Sequence, residues 1–152
     1  MAEKYHWSKL TTLQLGKYAE YFVKMEFTLH GFDVYSAEVD DKGIDFVIRK
    51  HESRYYDVQV KSARNLSYIF FPKDKFAPCE NLLAAIVLFT DGKPPALYLV
   101  PSTVWLKSDA HGLFASRDYV GKKSKPEWGL NLSKTNLGLL NQYGFDEIAK
   151  TL

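Results

Sequence analysis

The chain has 152 residues, of which 46% are hydrophobic and 15% aromatic, so it is long and apolar enough to bury a core, which excludes a disordered protein. Its formal net charge of +2 excludes a protein held to DNA by charge alone, although it permits binding to nucleic acid. The single cysteine, Cys79, excludes an internal disulfide and a zinc site built from cysteine pairs.

No apolar run approaches the roughly 18 residues that a membrane span needs, and residues 1–12 are polar. We therefore expect a cytoplasmic protein whose residues 1–152 form a single domain.

The first predicted element is a helix over 11–30, "TTLQLGKYAEYFVKMEFTLH", where apolar residues recur at helical spacing up to Gly31. Three strands are predicted next, over 32–39, 44–50 and 55–64. The turns between these strands are "DDKG" and "HESR". In the first of them, Asp40 and Asp41 are expected to shape the turn, with an outer-shell metal role as the lesser alternative.

The segment 65–81 combines a short apolar run with Pro72 and Pro78, which favours an edge strand followed by an irregular connection. The continuous apolar runs that follow predict two buried strands, joined by a tight turn, in the middle of the sheet. These strands cover 82–90 and 96–102.

Beyond the buried strands, the sequence predicts a short helix, a brief strand and one or two closing helices. Their ranges are 102–108, 126–133 and 134–152. The whole order predicts a mixed α/β fold.

The predicted hairpin sorts polar and apolar side chains by alternation. Ile44, Phe46 and Ile48 lie on one face of the first strand, and Tyr56, Val58 and Val60 on one face of the second. Polar side chains occupy the other face. An antiparallel pairing through "HESR" would bring together the residues Asp45, Gln59 and Lys61.

That set suits metal-assisted hydrolysis of a phosphodiester. Asp45, the side-chain oxygen of Gln59 and the backbone carbonyl of Val60 offer the oxygen ligands that magnesium prefers. Lys61 would lie beside the metal, where it could hold or help to deprotonate the attacking water and offset charge on the phosphorane.

The motif "GID" followed by "YYDVQVKS" resembles the active-site signature of the PD-(D/E)xK nuclease superfamily. The glutamine form, QxK, is similar to that of Mrr-like restriction endonucleases and some intron-encoded homing endonucleases. Archaeal Holliday-junction resolvases carry glutamate in place of Gln59. The resemblance covers about 13–101 and leaves 102–152 as a C-terminal helical elaboration.

The resemblance implies a restriction-endonuclease-like mixed β-sheet flanked by helices, and a metal-dependent DNA endonuclease. It assigns Asp45 and Gln59 as metal ligands, Lys61 as the catalytic lysine and Glu20, on the first helix, as a further ligand. Ile44 stands where the family name places a proline. Because Gln59 is neutral, the metal has one negative charge less than a glutamate would provide, so either its affinity is lower or Glu20 compensates.

The same resemblance implies Mg²⁺, with Mn²⁺ as a substitute, and duplex or branched DNA as the substrate. Because a domain with one site cuts one strand, we expect a homodimer or higher homo-oligomer to make a double-strand cut. Basic residues that we expect to contact nucleic acid are Arg64, Lys122, Lys123 and Lys125. The alternative for the lysines is a solvated loop, and the alternative for Arg64 is a surface side chain with no ligand.

Two other functions remain open on the sequence. The chain is alternatively a weak or inactive nuclease fold that binds nucleic acid or a protein without cutting. It is alternatively an interaction protein that forms a stable hetero-complex through 136–145, "NLGLLNQYGF". Metal-dependent cleavage that is abolished in Asp45→Ala distinguishes the enzyme from the binding module. Absence of DNA binding and the size-exclusion mass without DNA test the interaction protein.

Overall fold

A computed structural model describes residues 4–39, 41–51, 54–107, 109 and 111–152. Asp40 and the two central residues of the "HESR" turn lie outside these residues. The α-helices are α1 (Thr12–Leu29) and α2 (Phe145–Ala149), and short 3-10 helices cover Trp7–Lys9, Ser102–Leu106 and Leu137–Tyr143. The strands are β1 (Asp33–Tyr35), β2 (Phe46–Arg49), β3 (Tyr55–Arg64), β4 (Tyr68–Pro72), β5 (Leu82–Phe89), β6 (Ala96–Pro101), β7 (Phe114–Arg117) and β8 (Glu127–Asn131).

Helix α1 begins at a capping box. The Thr11 hydroxyl accepts a hydrogen bond from the Gln14 N–H at 3.1 Å, and the Gln14 side chain accepts one from the Thr11 N–H at 2.9 Å. The helix buries Ala19, Val23 and Phe27 along one stripe. The helix predicted from the apolar spacing is confirmed, with its end one residue before His30.

The main sheet has five strands in the order β1-β2-β3-β5-β6. β3 pairs in parallel with β5, and all other neighbours are antiparallel. The two predicted buried strands are β5 and β6, and the prediction that both lie in the middle of the sheet is wrong for β6. β5 has β3 on one side and β6 on the other, and β6 ends the strand order, so β6 forms an edge of this sheet. An isolated bridge between Tyr98 and Gly144 covers part of that edge.

A second sheet has three strands in the order β4-β8-β7. The predicted edge strand is thus β4, at the edge of a separate sheet. The strand predicted over 32–39 shrinks to the three residues of β1, and β7 was not predicted because "FASR" shows no apolar alternation.

β5 is buried on both faces, which explains its continuous apolar sequence. Leu83, Ala85, Val87 and Phe89 face α1, whereas its alternate residues face the second sheet. The fold is therefore a mixed α/β arrangement with α1 on one face of the main sheet and the second sheet on the other, as predicted for a mixed sheet flanked by helices. Among the described residues, none of the helices combines the length and apolar character that crossing a membrane requires.

Candidate active site

The hairpin of β2 and β3 places the candidate residues. Phe46 pairs with Val58 and Arg49 pairs with Tyr55, and the apolar side chains of both strands pack toward α1. By alternation along β3, Gln59 and Lys61 lie on the opposite face. This face is more enclosed than a half-exposed hairpin, because the second sheet covers part of it.

Asp45 lies directly before β2 and fastens the two strands together. Its N–H donates to the Val58 carbonyl at 3.0 Å, and its Oδ2 accepts the Val60 N–H at 2.6 Å. Through these two bonds, Asp45 extends the pairing of β2 with β3 by one residue on the N-terminal side of β2. This half-buried carboxylate is held beside the segment of β3 that carries Gln59.

Gln59 is only 7% exposed, and its Oε1 is buried without a hydrogen-bond partner in the described structure. A buried polar atom without a partner costs about 1–3 kcal/mol, which calls for a ligand, an ion or a water at this position. Gly43 lies close to the same side chain: a Cβ at Gly43 would be 3.7 Å from Gln59 Nε2 and 3.1 Å from Lys75. The glycine of "GID" therefore has a packing role.

Lys61 is half-buried on the same face of β3. Its Nζ lies 5.7 Å from the ring centroid of Phe71, which is fully buried on β4. A cation over an aromatic ring is attracted to it. The ring of Phe71 thus helps to keep the ammonium group near the face that carries Gln59.

Glu20 lies on α1 and pairs with two lysines. Its carboxylate is 3.2 Å from Lys24 Nζ and 3.5 Å from Lys17 Nζ. Lys24 in turn lies 5.6 Å from the ring centroid of Phe46, the residue after Asp45. Glu20 therefore lies over the start of β2 with its charge balanced by lysines.

The donor set fits a hard divalent cation of the magnesium type. Within the described residues, no three His, Cys, Asp or Glu side chains form a metal-binding cluster, so a cage built entirely from such side chains is not present. Mg²⁺ does not need one, because it keeps several waters and binds through one or two carboxylates together with substrate phosphates. Asp45 and the partnerless oxygen of Gln59 are the side chains that could hold such a cation.

A groove runs along the edge of β3 at 61–64, where β2 no longer pairs with it. β2 pairs with 55–58 only, whereas β5 pairs with 57–64 on the other side. We call this cavity of about 340 Å³ the β3 groove. Its lining residues are Thr12, Leu15, Lys61, Ser62, Ala63, Arg64, Ser67, Tyr68, Ile69 and Phe70.

Lys61 and Arg64 give the β3 groove positive charge. Arg64 also donates a hydrogen bond to the Ser8 carbonyl at 3.3 Å, which draws its side chain toward the start of the chain. Thr12 is the first residue of α1, and the N-terminus of a helix adds partial positive charge. The groove is thus suited to a phosphate backbone.

The lysines of the loop before β8 lie elsewhere. Lys122, Lys123 and Lys125 are exposed and line no part of the β3 groove. Lys125 is 3.2 Å from Asp74 in an ion pair. The structure therefore does not bring these lysines together with Arg64.

Asp57 is a charged residue near the site to which the sequence interpretation gave no role. It lies two residues before Gln59 on the same face, and partial burial raises the pKa of its carboxyl.

The groove residues Ser67, Tyr68 and Phe70 were also missed, because "SYIFFP" carries aromatic residues on both faces and so hides which of them is exposed.

Comparisons with known proteins support the fold. No protein-family model matches the sequence, and no curated protein matches it. Among solved structures, the chain is similar to Hjc, a Holliday junction resolvase from the archaeal hyperthermophile Archaeoglobus fulgidus. The match has a TM-score of 0.54 and 13% sequence identity, and it covers 90% of this chain and 96% of that one. The chain thus has the fold of that resolvase.

Proposed function

We propose that the protein is a metal-dependent DNA endonuclease that hydrolyses phosphodiester bonds. The observation that carries the proposal is the buried, partnerless Gln59 Oε1, held next to an Asp45 carboxylate that the Val60 N–H anchors. The motif resemblance and the shared fold of a Holliday junction resolvase support the same conclusion.

Asp45 and Gln59 are the ligands in this proposal, and Glu20 is a further ligand only if its two lysines release it. When bound, Mg²⁺ or Mn²⁺ supplies Lewis-acid polarisation of the phosphate. The Val60 N–H fixes the direction of the Asp45 carboxylate. Lys61 donates hydrogen bonds to the phosphate oxygens, offsets the negative charge that develops as water attacks, and orients that water.

DNA is the proposed substrate, in duplex or branched form. The positive charge of Lys61 and Arg64 in the β3 groove suits the phosphate backbone. The structural neighbour is a resolvase of branched DNA by name, and that supports testing branched substrates first.

The experiment is cleavage of supercoiled plasmid and branched DNA with Mg²⁺, with Mn²⁺ and with EDTA. Asp45→Ala and Lys61→Ala should each reduce the cleavage rate by about 100-fold or more, as for loss of other groups that stabilise a transition state. Matched controls are Asp33→Ala on β1 and Lys150→Ala after α2, both remote from the β3 groove. Melting temperatures check that each variant is folded.

Cleavage that persists in EDTA, or that survives in Lys61→Ala, would contradict the proposed mechanism. DNA binding without cleavage by the wild type would instead favour the binding module. If the wild type neither binds nor cuts DNA, the nuclease proposal is wrong.

A further inference from the structure

We propose that Phe70 is a stacking platform for an unpaired nucleobase of a DNA strand that lies in the β3 groove. The inference rests on the proposed nuclease function and adds the substrate feature that the site selects. Its basis is an aromatic ledge, Tyr68 and Phe70, on the outer face of the second sheet and at the rim of the β3 groove.

Phe70 is exposed although its residue type favours burial. All ten phenylalanines lie in the described part of the chain, and Phe70 alone among them is exposed, at 48%. Its neighbours on β4, Ile69 and Phe71, are buried against the core. The alternation of the strand therefore turns Phe70 outward.

The residue across the second sheet from Phe70 has no side chain. Across the ladder, Phe70 pairs with Gly129, which has no side chain to cover the ring. A Cβ at Gly129 would overlap the Tyr68 hydroxyl, so the Tyr68 ring lies across that glycine. Arg117 lies over the Tyr68 ring, with its Cζ 4.2 Å from the centroid.

The two rings of the ledge are nearly parallel. Their centroids are 6.3 Å apart and their planes differ by 17°. Tyr68 thus contacts Arg117 and also lies nearly parallel to Phe70, and Phe70 is the more exposed of the two rings. A flat apolar partner at Phe70 would stack on an exposed ring.

The groove beside the ledge indicates the partner. Lys61 and Arg64, on the same concavity, suit phosphates, so a chain that passes over them carries its bases within reach of Phe70. Bases inside a duplex are already stacked, whereas an unpaired base offers a free face to an aromatic ring. Stacking on phenylalanine needs no hydrogen bond and tolerates any base.

The test is DNA binding in EDTA, where the proposed chemistry cannot proceed. Anisotropy compares a forked DNA with unpaired nucleotides against a fully paired duplex of the same length. Phe70→Ala should weaken binding to the fork by about 5- to 100-fold, the range for loss of one stacked base, and change duplex binding by less than about twofold. A 2-aminopurine at the unpaired position should lose its quenching on the same substitution.

Two substitutions separate stacking from apolar contact. Phe70→Trp should keep fork binding, whereas Phe70→Leu should behave like Phe70→Ala. Leu106→Ala removes another exposed apolar side chain, on the Ser102–Leu106 segment, and should change neither affinity. Because Phe70 is exposed, its variants should keep the wild-type melting temperature.

The inference is wrong if the wild type cuts DNA with metal while Phe70→Ala binds the fork as tightly as the wild type does. In that outcome the nuclease proposal stands. It is also wrong if Phe70→Ala only lowers the sedimentation mass, because the ledge is then a contact between copies of the chain. A fork preference that depends on Phe70 in a protein that never cuts supports the ledge and contradicts the nuclease.

Discussion

At the level of single residues, the proposed function depends most on Gln59. A strand residue two positions before a lysine is ordinarily solvated, but this amide is buried on the enclosed face of β3 and its oxygen has no partner in the described structure. In the proposed site, a neutral amide in that position would supply an oxygen ligand without placing a second buried negative charge beside Asp45. The free energy that the fold loses by burying this unpartnered oxygen can be measured by replacing Gln59.

We expect Gln59→Leu to stabilise the protein when no metal is present. Leucine keeps much of the volume and removes the unsatisfied oxygen, so the free energy of unfolding should rise by about 1 kcal/mol in urea titrations with EDTA. The same variant should lose the shift in melting temperature that Mn²⁺ gives the wild type. Lower stability in EDTA would show that the amide is already satisfied within the protein.

Gly43 is the second residue whose role depends on its surroundings. Its φ is +80°, and a Cβ there would meet the Lys75 backbone oxygen at 3.1 Å and approach Gln59 Nε2. Gly92 has nearly the same φ, +82°, but nothing lies within 4 Å of a Cβ at that position. The two glycines therefore separate backbone strain from crowding at the site.

We expect Gly92→Ala to cost about 1 kcal/mol of unfolding free energy through backbone strain alone. Gly43→Ala should cost more, and it should also reduce metal-dependent cleavage, because the added methyl group would lie 3.1 Å from the Lys75 backbone oxygen and crowd the segment that packs beside Gln59. Urea titration and plasmid cleavage measure the two effects. Equal losses of stability with unchanged cleavage would show that Gly43 serves only the turn.

At the level of elements, patterns that depend on neighbours along the chain predicted more than patterns that depend on distant partners. The α1 stripe and all ten residues of β3 follow from local spacing. The edge position of β6 does not, because it depends on β3 entering the sheet in parallel beside β5. The second sheet also depends on a distant partner, since β4 pairs with β8 some 59 positions away at Phe70 and Gly129.

The segment before α1 is another element held by distant contacts. The Ser8 N–H donates to Asp91 Oδ1 at 2.9 Å, and the Trp7 indole N–H donates to the Lys93 carbonyl at 2.9 Å. These bonds fasten the segment to the turn between β5 and β6. Because Ser8 also accepts from Arg64, the segment helps to position one wall of the β3 groove.

We expect this attachment to depend on pH through Asp91. The hydrogen bonds from Ser8 lower the pKa of the Asp91 carboxyl. A lowered folded-state pKa means that its stabilisation is present above the unfolded value, about 3.9, and is lost as pH falls through the folded value. Asp91→Asn should therefore lower the melting temperature at pH 7 by a small amount and have no effect near pH 2.

The control for that experiment is Asp74→Asn, which removes an exposed aspartate that pairs with Lys125 and shows no comparable hydrogen bonds to backbone N–H groups among the described contacts. Its effect on the melting temperature should be small, because an exposed ion pair contributes little to stability. If Asp91→Asn gives the same difference at pH 7 and pH 2, the carboxylate does not fasten the segment.

At the level of the whole molecule, the sequence predicted which candidate residues share a hairpin better than it predicted how the rest of the fold covers them. Alternation and turn spacing placed Asp45, Gln59 and Lys61 on one hairpin, and the fold match agrees with the predicted mixed sheet. How α1 and the second sheet cover the two faces of the main sheet determines three features of the site. These are the burial of Gln59, the lysine pairs of Glu20 and the exposure of Phe70. A single sequence does not specify that covering.

The number of sites per molecule leads to the last prediction. One chain carries one candidate site, so a monomer should nick a plasmid and a dimer should be needed to linearise it in one encounter. We expect nicked circles to appear at low protein concentration and linear product to rise more steeply with concentration. Mixing the wild type with an equal amount of Lys61→Ala leaves about one quarter of randomly paired dimers with two intact sites. Linear product should then fall further than nicked product, whereas a parallel fall in both would show that the chains act singly.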